Sequence, residues 1–282
     1  MRWVAVPHAG TMTDFNRPAI EWRRNSCGEA LMRNRALVLI LGLLAVARAL
    51  RAQHDGAPVS LTPAQIVEKN ISARGGLGAW RAIDSLIMTG KIAVGANSPQ
   101  VSFALDFKRP RKARIEVQFN GETAVHIYDG QNAWKIMPFL DRYNVEPYPP
   151  EEMNDAPASL DLDGPLMDYE AKGTFIELDG MEKVDGRDAY RLRLTMKDGT
   201  VRRIWIDGQT FLEAKVEATP RRFNGKLHAV ITFYRDYKLV QGLMIPHLFV
   251  TALDGVEQTE KVIVENVVIN PKLDDKLFTK PE

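Results

Sequence analysis

Residues 101–119, VSFALDFKRPRKARIEVQF, decide the fold. Val101, Phe103, Leu105 and Phe107 alternate with Ser102, Ala104 and Asp106, and beyond a basic turn Ile115, Val117 and Phe119 alternate with Arg114, Glu116 and Gln118. A period of two puts the apolar side chains on one face of two strands and leaves the other face wet, as in an antiparallel sheet. The same alternation returns downstream, where Tyr190, Leu192, Leu194 and Met196 oppose Arg191, Arg193 and Thr195. Between such runs stand Asn120-Gly121, Asp129-Gly130, Asp185-Gly186, Asp198-Gly199, Asp207-Gly208, Asn224-Gly225 and Asp254-Gly255, the residue pairs that tight hairpins require. The pattern predicts an antiparallel meander of about ten strands.

A sheet of that size is roughly 45–50 Å wide before it curls, and its apolar face must be covered. Two helices precede it. Thr62-Pro63-Ala64-Gln65 supplies an N-cap threonine, a proline at the first helical position and a glutamine at the third, Ile66, Val67, Asn70 and Ile71 share a face, and Gly75-Gly76 ends the helix. A second short helix, Leu77 to about Ile83, carries Trp80. Two helices, each about 10 Å across, hide only part of the face. The sheet therefore either curls into a full or partial barrel around its own side chains or leaves an apolar cavity for a ligand. The expected class is mainly β with helices, an unclosed antiparallel barrel or strongly curved sheet with the N-terminal helices on its concave face.

The alternation fails between Glu146 and Met167, where five prolines accompany Glu151, Glu152, Asp155, Asp161 and Asp163. A Pro-rich insertion at about 146–168 within one domain at 53–282 is the expectation, and long loops of this kind are commonly functional or disordered.

Upstream, Ala36 to Ala47 (ALVLILGLLAVA) follows Met32-Arg33-Asn34-Arg35 and precedes Ala-Arg-Ala at 47–49. A basic start, a short apolar run and small residues form a cleavable export signal at 32–52, with cleavage near Gln53; the run is too short for a membrane span. Residues 1–31 then read as a mis-assigned leader, and the periplasm is the expected location. The one cysteine, Cys27, lies before the signal, so the exported part has neither a disulfide nor a lipid-anchoring cysteine. Residues 53–282 hold 29 Lys/Arg against 33 Asp/Glu. That balance, with the compartment, argues against nucleic-acid partners.

No metal, cofactor or catalytic residue is nominated. His54, His126, His228 and His247 lack ligand spacing, and Asp161-Leu162-Asp163-Gly164 has its glycine too early for a calcium loop and reads as a turn. No nucleophile elbow, phosphate loop or dinucleotide fingerprint occurs. Lys108, Arg109, Arg111 and Lys112 are candidates for contact with lipid headgroups or an acidic partner, against the alternative of a solvated turn. Met137-Pro138-Phe139-Leu140 is apolar for a turn, and Trp80, Trp134 and Trp205 read as core or rim aromatics. Phe103, Leu105, Phe107, Ile115, Val117, Phe119, Leu192 and Leu194 are the candidate lining of a cavity.

Several stretches, in this order, resemble the outer-membrane lipoprotein-sorting (LolA/LolB-like) superfamily: Thr62 to Val67 with Ala73 to Leu77, Met88 to Lys91, Tyr128 to Gly130, Val184 to Leu192, Gly242 to His247, and Ile269 to Pro271 with Leu277-Phe278. The resemblance covers nearly all of residues 60–280. It implies an unclosed barrel plugged by helices, a hydrophobic cavity carrying lipoprotein acyl chains across the periplasm, and an insertion acting as or beside a lid. It also implies a monomer meeting inner- or outer-membrane transfer proteins, while other members sense envelope stress through a partner protein. The family's lid-latching arginine is left open among Arg74, Arg114, Arg191, Arg193 and Arg203.

Overall fold

Among the described residues thirteen strands, all antiparallel, form one sheet built from two meanders. The first comprises β1 (Ser85–Val94), β2 (Val101–Lys108), β3 (Lys112–Phe119), β4 (Glu122–Tyr128), β5 (Ala133–Met137) and β6 (Arg142–Pro147). The second comprises β7 (Phe175–Val184), β8 (Arg187–Thr195), β9 (Val201–Asp207), β10 (Glu213–Phe223), β11 (Lys226–Val240), β12 (Leu243–Leu253) and β13 (Thr259–Ile269). The last strand returns to pair with the first, so β1 and β13 join the meanders and β6 and β7 are left as unpaired edges. The barrel is therefore open. The computed structural model describes residues 61–95, 99–150, 152–153, 161–223, 226–257 and 259–281. The expected leader, the export signal, Cys27, His54 and residues 154–160 of the insertion lie outside them.

Thirteen strands exceed the expected ten, which widens the sheet to roughly 58 Å of arc. Strand β6 also runs into the start of the expected insertion, because Lys135 pairs with Glu146 and Trp134 with Pro147. Hairpin chemistry governs the local register. Asn120-Gly121 and Asp185-Gly186 have positive φ at both residues (50° and 81°, 50° and 80°), the backbone of a type I′ turn. Gln241-Gly242 adopts it too, at 47° and 87°.

Helix α1 (Pro63–Ala73) has the complete capping box, with Gln65 N–H donating to Thr62 Oγ1 at 3.2 Å and Thr62 N–H to Gln65 Oε1 at 2.9 Å. Its Ile66 and Val67 sit on Leu192, Leu194, Ile204 and Ile206 of β8 and β9, all at most 2% exposed. This half of the concave face is filled. Replacing Leu192 with Ala opens a cavity there and is expected to cost about 2–5 kcal/mol in chemical denaturation. Helix α2 (Leu77–Arg81) buries Trp80 against Leu86, Leu243 and Ile245. The opposite, convex face carries its own small cluster, in which Trp205 packs with Val184 and Ala189 beneath the Lys215 ammonium, 3.7 Å from its ring centre. Trp80 and Trp205 are thus buried on opposite faces, and Trp134 is half-buried.

Candidate functional site: the concave face and its strap

The chain between β6 and β7 is 148–174, and its described parts pack on the concave face. Leu166 joins the cluster under α1, Met167 joins Trp80, Ile83 and Leu86, and Met153 packs near Ala113, Tyr128 and Ala133. One strap thus reaches from the β3–β5 side to the β8–β9 side.

Charge fixes it between those apolar contacts. Asp163 accepts two hydrogen bonds from the Arg109 guanidinium, at 2.7 and 2.6 Å, while the same guanidinium donates to Ile83 O at 2.6 Å and Trp80 O at 3.0 Å. Arg109 therefore joins the β2–β3 turn, the carbonyl end of α2 and the strap in a planar fork that a guanidinium fits and an ammonium does not. Lys172 pairs with Asp161 at 2.7 Å and donates to Gly164 O at 2.7 Å. Arg81 reaches Asp168 at 2.7 Å, and Lys135, only 7% exposed, holds both oxygens of Glu152 at 2.6 and 2.7 Å. The Asp161–Gly164 stretch is a turn whose carboxylates are consumed by cations.

Of the five arginines left open as a latch, four serve elsewhere: Arg114 binds Glu116, Arg191 binds Asp179 and Glu182, Arg193 binds Glu177, and Arg203 binds Glu217. Arg74 caps α1, stacks 4.2 Å above the Trp80 ring and pairs with Glu213 at 3.3 Å. It ties helix to sheet. Two arginines outside that set bind the strap, Arg109 through Asp163 and Arg81 through Asp168. The partner of Arg109 lies 54 residues away, and the acidic content of the insertion is the one sequence feature that could have found it.

Burial pushes the Asp163 carboxyl up, but the Arg109 hydrogen bonds and the charges of Arg109, Lys172 and Arg74 outweigh it and hold the group below the usual carboxylate range. A depressed folded value contributes stability above the unfolded pKa, near 4, and the contribution is lost as pH falls through the folded value. The stability difference between the protein and its Asp163→Asn variant is expected to be constant near neutrality, to shrink below about pH 4, and to vanish in stronger acid. Melting curves of both proteins across that range measure it.

Beneath the strap the floor changes character. On one face, register pairs Met88 with Leu105 and Leu105 with Ile115, Gly90 with Phe103 and Phe103 with Val117, and Ile92 with Val262 and Val262 with Phe249. Met88, Leu105, Ile115, Val117 and Phe249 stay half-exposed, whereas Leu192 and Leu194 are sealed under α1. Phe103 is buried, and Phe107 touches two core clusters. Phe119, on the same face of β3 by alternation, sits at the hairpin end against Phe139, with ring centres 5.9 Å apart. The expected lining residues therefore divide into a filled half and an apolar floor on β1–β3.

The floor ends in a polar group. His126 and Lys135 follow Ile115 in register on β4 and β5, and His126 Nδ1 lies 2.8 Å from the Tyr148 hydroxyl. Burial, then the Lys135 charge, lower the His126 pKa against the opposing pull of Glu152, and burial first, then Glu152, push the Tyr148 phenol up to about 12. At neutral pH both are uncharged, which suits a structural tie of the first strap residues to the sheet. The cations of the basic turn are also largely engaged internally. Lys108 and Lys112 reach Asp275 at 3.1 and 2.7 Å, while Arg111 is exposed and makes no salt bridge with a described residue.

No protein-family model and no curated protein matches this chain. Solved structures do: a LolA superfamily protein from Nitrosomonas europaea matches 78% of this chain and 99% of its own, with a TM-score of 0.55 at 17% identity. The fold is LolA-like. A putative outer membrane lipoprotein-sorting protein domain from Vibrio parahaemolyticus matches with TM-score 0.51 at 15% identity, over 77% of this chain and 96% of its own. A DUF1329 family protein from Desulfovibrio piger matches with TM-score 0.54 at 14% identity, over 78% and 98%. These structural overlaps show the fold alone, an open antiparallel barrel with helices at its concave face.

Proposed function

We propose that the protein binds acyl chains of lipids or lipoproteins on the floor between β1–β3 and the strap, as an exported, non-enzymatic carrier of the periplasm that delivers lipoproteins towards the outer membrane. The observation that carries this reading is the half-exposed apolar row Met88, Leu105, Ile115 and Val117 on the concave face that the strap crosses. The LolA-like fold, shared with a protein described as a putative lipoprotein-sorting domain, supports it. Each buried methylene contributes about 0.8 kcal/mol, so one long chain supplies ample driving force for capture. Release requires the cover to move, so the ion pairs Arg109–Asp163 and Lys172–Asp161 and the burial of Leu166 and Met167 must give way together. Exchange would occur with transfer proteins of the inner or outer membrane, the carrier itself being a monomer.

A second reading, a sensor or scaffold of the same fold that binds a partner protein, is favoured by one feature: the filled packing of α1 on Leu192 and Leu194. Displacement of an apolar fluorescent dye by a fatty acid separates the two. The carrier reading expects saturable dye uptake, at least tenfold weaker in Val117→Asp, because a charge on the floor must be desolvated against the chain. Dye silence in the folded protein supports the scaffold and ends the carrier reading.

A further inference from the structure

The strap and the basic turn enclose a cavity of about 220 Å³, too small for a whole lipid by comparison with the roughly 300–1,000 Å³ of drug-sized sites. Its walls join two chemistries. Phe107 and Leu162 are apolar, and Arg109, Arg111, Lys112 and Lys172 are cationic, with Lys108 beside them. The two carboxylates in the wall, Asp161 and Asp163, are already neutralised by Lys172 and Arg109. Lys108 and Lys112 share Asp275 at its rim, so five basic groups against three acidic ones leave the cavity electropositive. Arg111 stands out: it is exposed, its φ of 129° is a backbone region that glycine adopts at far lower cost, and it makes no salt bridge with a described residue.

The cavity borders the strand that carries the proposed acyl floor. Phe107 lines it and lies on the same face of β2 as Leu105 and Phe103, each two residues further along and so about 7 Å apart. An extended chain on Leu105, Ile115 and Val117 would bring its head to Phe107. We propose that this cavity receives the anionic headgroup, phosphate or carboxylate, of an amphiphile whose acyl chain lies along β2 and β3, with Arg111 and Lys112 as its contacts. The proposal rests on the acyl-binding reading and gives that site its selectivity: a single-chain amphiphile enters head first between turn and strap, and neutral heads gain nothing there. Arg111 lines the cavity without an ion pair to a described residue and is the cation left for the headgroup; Arg109 and Lys172 remain with the strap.

The test compares amphiphiles of one chain length: palmitate, its methyl ester, lysophosphatidylglycerol and lysophosphatidylcholine, each titrated into the full protein against a displaced dye. Charge-assisted hydrogen bonds lead to an expected preference of roughly tenfold or more for an anionic over a neutral or zwitterionic head. A larger preference for palmitate over its ester identifies a carboxylate, and a larger one for the glycerol over the choline headgroup a phosphate. In Arg111→Gly with Lys112→Gln that preference falls to near one while the ester still binds; Arg111→Gly alone relieves backbone strain, so a loss of preference without loss of thermal stability excludes misfolding. Lys238→Gln, far along the sequence on β11, leaves the preference intact. Equal binding of all four amphiphiles, or a preference unchanged in the double variant, overturns the headgroup site and leaves the acyl floor standing. Failure of every amphiphile to bind overturns both.

Discussion

Gly90→Val is expected to abolish cooperative folding or to lower unfolding free energy by more than about 4 kcal/mol. The β1–β13 ladder alone joins the two meanders, and a register shift between Thr89 and Gly90 falls in its middle. A side chain at Gly90 would place its first carbon 1.9 Å from Ile263 O and 3.0 Å from Glu265 N. Both are backbone atoms of β13, so no rotamer change relieves the clash; the strands must separate or slide. A slide by one residue would turn Leu86, Met88 and Ile92 away from the concave face. Gly90→Ala shifts stability in the same direction by less. Gly78, in α2, has open space around its α-carbon, and Gly78→Ala is expected to be neutral or to add up to about 1 kcal/mol. Urea denaturation of the three variants measures the contrast.

Arg109→Met is expected to free the strap. The substitution keeps much of the side-chain volume and removes four donor contacts, two to Asp163 and one each to Trp80 O and Ile83 O. The side chains of the pair are 30% and 18% exposed, so solvent partly compensates, and the expected loss is about 2–3 kcal/mol, below that of a fully buried pair. The local effect is larger than the global one. Amide exchange in 161–174 should accelerate by one to two orders of magnitude while β8 and β9 stay protected, because Leu192, Leu194, Ile204 and Ile206 keep Ile66 and Val67 of α1 even when Leu166 is freed. Arg109→Lys should not restore protection: one ammonium on a flexible stem cannot reach the Trp80 and Ile83 carbonyls and a bidentate carboxylate together. Uniform exchange across the sheet in Arg109→Met would mean that the strap is part of the core and not a separable cover.

What was legible in the sequence is what local chemistry dictates. Thr62, Pro63 and Gln65 announce α1 because each satisfies or spares an amide within the first turn, and Asn120-Gly121 and Asp185-Gly186 announce hairpins because both residues must take positive φ. The concave placement of Phe103, Leu105, Ile115 and Val117 followed from a period of two. The closure of β13 on β1 was not legible, since it pairs Leu86 with Ile269 across most of the chain and no local preference encodes it. Nor was the role of Arg109. The basic turn and the acidic insertion each look like solvated charge when read alone, and only the sheet's curvature brings Arg109 to Asp163. Gln241-Gly242 escaped for the opposite reason, glutamine being an uncommon partner for the turn that the backbone nonetheless adopts.

The most direct measurement of acyl binding on the concave floor is photocrosslinking with a fatty acid carrying a diazirine near its chain end, followed by peptide mapping. Saturable labelling of peptides containing Leu105, Ile115 or Val117, competed by excess oleate, is the expected result. Absence of saturable labelling in the folded protein, or labelling confined to convex-face peptides such as that bearing Trp205, would contradict it.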